Sequence, residues 1–91
     1  IDAHNDLIEI YNYISKDSLY YAIKTVSEIT EKTENLYYFP YMGRKSLFYN
    51  DEEHRELIYK SYKIIYKVKS STIYIHRVWH SARLINKLFS K

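Results

Sequence analysis

The sequence predicts a two-layer α+β domain, with an N-terminal antiparallel helical hairpin packed on one face of an antiparallel β-meander of three or more strands and a short C-terminal helix. Three observations predict it. Apolar residues recur at helical spacing as far as Leu36, and from Arg55 onward β-branched and aromatic residues alternate instead. The only Pro and the only Gly, Pro40 and Gly43, fall between the two regimes. Ninety-one residues without a cysteine fit one domain spanning 1–91, built without disulfides or a thiolate zinc site.

The first helix rests on Leu7, Ile10, Tyr11 and Ile14, with Asp2 placed to cap its start. Lys16-Asp17 breaks the pattern, and Ser18 is a good N-cap for a second helix. There Leu19, Ala22, Ile23, Val26, Ile29, Thr33 and Leu36 form the apolar stripe. So short a connection makes the pair an antiparallel hairpin. Residues 37–50 read as a loop or the beginning of a strand. Arg55 to Tyr59, Tyr62 to Val68 and Thr72 to Trp79 read as three strands, with Lys69-Ser70-Ser71 as a tight turn between the last two. Ile64, Tyr66 and Val68 share one face of the middle strand, and Lys63, Ile65 and Lys67 the other. On the last strand the alternation slips at Val78, which predicts a bulge or twist near Arg77. Leu84, Ile85 and Leu88 mark a short helix over residues 81–89.

Charge is divided along the chain. Ten acids and five bases precede Arg55, a balance of −5; nine bases and the single acid Glu56 follow from there, a balance of +8. The outer face of the sheet is therefore expected to be basic and to meet an anionic or protein partner. Twelve tyrosines against three phenylalanines admit two readings: half-buried aromatic positions, or an aromatic binding face.

Several chemistries are excluded. Lys, Asp, Glu or Asn interrupts each apolar stretch, which rules out a transmembrane helix. No stretch carries the basic flank and apolar run of a secretion signal, so the expected location is cytoplasmic. A chain with one glycine holds no P-loop or dinucleotide fingerprint, and no cofactor is expected. His4, His54, His76 and His80 lie in different stretches; on an unbulged strand the last two stand about 13 Å apart, too far for one metal ion. What remains is Arg, Lys, His and Tyr on an open sheet, able to clamp phosphates or do acid–base work beside them. His80, Arg83, Arg55, Lys60, Lys63 and Arg77 are the candidates.

The runs Arg55-Glu56-Leu57, Tyr62 to Val68 and Ile73 to Arg83, with Ala3 to Ile10 and the Pro40…Gly43-Arg44 loop, resemble the RelE/ParE toxins over nearly the whole chain. Members of that family usually begin with one more strand before the first helix; its absence here suggests truncation or disorder at the start. The resemblance implies the toxin of a type II toxin–antitoxin system, neutralised by a cognate antitoxin protein. ParE-like members poison DNA gyrase; RelE-like members cut mRNA in the ribosomal A site. Where RelE-type nucleases carry two lysines this chain has His54 and Glu56, and their sheet arginine corresponds to Lys63. A later arginine falls at Ser81, and Lys87 stands where they have a tyrosine. His80 is similar to the late histidine of YoeB-like nucleases. The His80-x-x-Arg83 ending with Arg55-Glu56-Leu57 is closer to the ParE branch, so gyrase inhibition is the first expectation, through a binding face that includes Arg55, Tyr59, Lys60, Tyr62 and Arg77. Ribosome-dependent cleavage is the alternative, with His80 as acid or base, Arg83 and Lys63 stabilising phosphate charge, and Tyr59 or Tyr62 stacking a base.

Overall fold

The computed structural model describes residues 2–46, 49 and 51–81, in the order α1 (Asp2–Ser15), α2 (Leu19–Asn35), β1 (Arg44–Lys45), β2 (His54–Tyr59), β3 (Tyr62–Lys69) and β4 (Thr72–His80). Among the described residues the four strands form one antiparallel sheet in sequence order, with β4 at its edge. The expected C-terminal helix and Arg83 lie outside the described residues.

Asp2 is the first residue of α1 rather than its cap, where its charge still favours the helix dipole. Ser18 is the N-cap of α2, with an extended backbone and a hydroxyl that accepts from the Tyr21 N–H at 3.2 Å. The α2 stripe is narrower than its sequence predicts. Ala22, Ile29 and Leu36 are fully buried, whereas Leu19 and Ile23 are more than half exposed. The inward line takes side chains spaced seven apart, leaves Val26 half-buried beside it and leaves Leu19 and Ile23 largely in water.

The core joins Ala3, Ile10, Ile29 and Leu36 of the helical layer to Leu57, Tyr59, Ile64, Tyr66, Val68 and Val78 of the sheet. Tyr66 is completely buried, and its hydroxyl donates to the Pro40 carbonyl at 2.8 Å while accepting from the Gly43 N–H at 3.0 Å. This tyrosine pins the loop between α2 and β1 onto the sheet. Gly43 is required there, because a Cβ would stand 2.7 Å from the Glu56 carbonyl oxygen and 2.8 Å from the Tyr66 hydroxyl.

Two-residue turns set the register. Ser70 and Ser71 both have positive φ, 50° and 65°, the handedness a tight hairpin needs to match strand twist. The expected bulge is present. Ile65 pairs with Arg77 but Tyr66 pairs with Ile75, so His76 is an extra residue in β4. That single residue returns Val78 to the core, and it carries Trp79 to the outer face and His80 to the helix side, since directly paired residues share a face. Ile65 lies on the outer face as expected but is buried there, opposite the equally buried Glu56.

Candidate functional site

The outer face of the sheet carries His54, Glu56 and Ile58 of β2, Lys63, Ile65 and Lys67 of β3, and Tyr74, His76, Arg77 and Trp79 of β4. Its electrostatics differ from those its base count implies. Arg55, Lys60, Lys63, Lys67 and Arg77 each lie within 3.9 Å of a carboxylate, from Glu52, Glu28, Glu56, Glu53 and Asp6 respectively. The solvent-exposed pairs among them add little stability, whereas those of Lys63 and Arg77 rest on buried acids; all five weaken the field a phosphate would meet.

Glu56 is the centre of the arrangement. Its side chain is fully buried; one oxygen receives Arg44 at 2.7 Å and the Lys63 ammonium at 3.6 Å. Burying a carboxylate without such partners is costly. Lys63 is therefore turned toward an acid of its own sheet.

Arg77 bends around the free edge of β4. Its guanidinium gives Asp6 of α1 two hydrogen bonds, at 2.8 and 2.9 Å, and the same carboxylate accepts the Val78 N–H at 2.9 Å. These contacts hold the Arg77 charge even more firmly than is usual for arginine.

Tyr59 is buried on the helix side, where its hydroxyl donates to Glu28. Lys60, in the adjoining turn, lies over the Tyr59 ring. Tyr62 is half-buried and meets the His80 ring edge-on at 5.2 Å; burial raises the Tyr62 phenol above its usual range. Arg55 donates to the Glu52 and Gly43 carbonyls and covers the Tyr41 ring. The structure thus gathers Tyr59, Lys60, Tyr62 and His80 at one end of the sheet and puts Arg55 at the other. Lys63 and His80 project to opposite faces, because Lys63 pairs with Trp79 and His80 follows it.

The four histidines lie in different stretches of the sequence, yet His54 and His76 are neighbours, with ring centres 5.4 Å apart. Asp51 orients His54, its carboxylate 2.8 Å from Nδ1 while accepting the Glu53 and His54 backbone N–H groups. Those bonds hold the Asp51 carboxyl below its ordinary range, the His54 N–H contributing most. No sequence motif marks this cluster; it depends on the pairing of β2, β3 and β4. Among the described residues no group of three or more His, Cys, Asp or Glu gathers as a metal site, and no helix is long and apolar enough to cross a membrane.

Exposed aromatic surface lies elsewhere. Tyr37, Tyr38, Phe39, Tyr41 and Met42 are all about half or more exposed, on the loop that Tyr66 pins. A groove of about 460 Å³ runs beside it, lined by Tyr37, Pro40, Val68, Ile73 and Ile75 among others.

A family model, described as the ParE toxin of the type II toxin–antitoxin system parDE, matches residues 2–85. No curated protein matches the chain.

Proposed function

The chain belongs to the family of ParE toxins of type II toxin–antitoxin systems, and from that premise we propose that it arrests growth by binding DNA gyrase and is neutralised by a cognate antitoxin. Membership makes it the toxin of its pair and implies the antitoxin; the gyrase target is our reading.

The observation that carries this reading is the disposition of Lys63 and His80. Phosphodiester cleavage needs an acid or base and a charge stabiliser converging on one phosphate. Here Lys63 sits on the outer face against Glu56, and His80 sits on the opposite face against Tyr62. A surface on which Lys63, Lys67 and Arg77 are already paired is better suited to protein contacts than to RNA, because aromatic and apolar groups dominate binding between proteins.

Supercoiling by gyrase in the presence of the purified toxin tests the proposal, alongside RNA ends mapped after induction in cells. Inhibited supercoiling with intact mRNA is the expected result. His80→Ala and Lys63→Met should leave that inhibition within about twofold of wild type, as expected of residues outside a chemical step. Ribosome-dependent mRNA cleavage that disappears in His80→Ala would replace gyrase binding with the nuclease reading.

A further inference from the structure

The histidine cluster on the outer face is not used by the proposed function. His54 on β2 faces Lys67 on β3, and His76 occupies the bulge of β4 on the same side. Tyr49 lies over the face of His54, with ring centres 3.7 Å apart and planes within 6°. The Tyr49–His76 and His54–His76 separations are 6.5 and 5.4 Å. These three distances make a nearly right-angled triangle with its corner at His54. His76 therefore lies beside His54 rather than on its face, the two imidazoles tilted by 20° and Tyr49 above.

Such a row accommodates a neutral His76 more readily than a charged one. The groups facing His76 are His54 with its Asp51 partner, Tyr49, and Lys67 with its Glu53 partner at 3.7 Å. Its strand neighbour Arg77 is held by Asp6. Both acids are already engaged, Asp51 by His54 and Glu53 by Lys67. A proton on His76 would stand next to Lys67 and a histidine whose Nδ1 faces an aspartate, and like charges side by side on one sheet face repel. As the extra residue of a bulge, His76 is also the member of the row least held by the strand ladder.

We propose that this row is a proton-operated switch on the outer face of the sheet: neutral His76 packs beside His54 near the Tyr49 ring, and protonated His76 leaves the row for water. The sign follows from the environment. Burial first, then His54 and Lys67, lower the affinity of His76 for a proton, so the packed state is favoured above the ordinary histidine range of about 6.5 and loses ground as pH falls below it. The outer face then has two shapes and two charges, and a partner docked on it would bind with a pH dependence.

NMR of the intact chain between pH 8 and 4.5 tests this. His76 should titrate below the ordinary range, and nuclear Overhauser contacts between the His54 and His76 rings should vanish over the same interval. Amide exchange at His76 and Arg77, corrected for intrinsic rates, should accelerate about tenfold as a local opening, while Val78, anchored by Asp6, stays protected. Lys67→Met removes a neighbouring cation and should move the His76 midpoint upward. His76→Gln should remove the step in the Tyr49 ring signals that coincides with the His76 midpoint; if that variant does not fold, the Lys67→Met shift decides. A His76 that titrates at or above the ordinary range, or one whose ring contacts survive protonation, overturns the proposal.

Discussion

Asp6 and Arg77 are separated by almost the whole chain, yet the carboxylate of one takes both a two-pronged guanidinium contact and the Val78 N–H beside it. A helix side chain thereby closes part of the free edge of β4, which would otherwise expose an unpaired donor. The pair joins the two layers where their opposite charges meet, and it explains why a buried aspartate is tolerated on the core side of α1.

Removing that carboxylate should be costly. Asp6→Ala leaves a backbone N–H and a partly buried arginine without their acceptor, and is expected to lower unfolding stability by about 2–4 kcal/mol. Asp6→Asn should lose less, because its amide oxygen can still accept from Val78. Urea unfolding of the three proteins gives the comparison; an Asp6→Ala loss under about 1 kcal/mol would contradict this role.

Tyr66 and Gly43 form a second joint, between the loop and the sheet. Tyr66→Phe removes the hydroxyl that bonds Gly43 and Pro40, for an expected loss of about 1–3 kcal/mol. Gly43→Ala drives a methyl into the Glu56 carbonyl, which as backbone cannot move aside, and should cost at least as much. Thermal unfolding of both variants checks this, and a melting temperature unchanged in either would be the contrary result.

The Ser70-Ser71 turn leaves stability unused. Both residues occupy the left-handed region, which costs an L-residue about 1 kcal/mol or more. Ser70→Asn with Ser71→Gly supplies the pair favoured there and should raise the melting temperature by roughly 4–8 °C per kcal/mol gained. A lower melting temperature in the double variant would show that the strain is offset by contacts of the serines themselves.

Glu56 mutes the cations of the outer face. Glu56→Gln should lower stability by about 1–3 kcal/mol, since Arg44 and Lys63 lose a charged acceptor. The same change should increase retention on immobilised heparin, because two cations become available to an anion. Elution at the wild-type salt concentration from a folded variant would mean that Arg44 and Lys63 are not restrained by this carboxylate.

Much of the architecture was present in the sequence by itself. Helical spacing through Leu36, alternation after Arg55, the Ser18 cap, the Ser70-Ser71 turn and the slip near Arg77 are local properties, because backbone preference and side-chain period act over a few residues. The family resemblance rests on the same strands together with Ala3 to Ile10 and the Pro40…Gly43-Arg44 loop. What only the tertiary structure decided is which charges meet and which side chains share a face. The sequence shows acids before Arg55 and bases after it; folding sets Asp6 against Arg77, Glu28 near Lys60 and Glu53 against Lys67, and so weakens the basic face that the linear charge pattern implies. The bulge was legible, but its consequence was not. One inserted residue reverses every side chain that follows in β4, which separates His80 from Lys63, while His76 keeps to the outer face beside His54. Register and charge pairing depend on distances across the fold, and those arise only when the two layers come together.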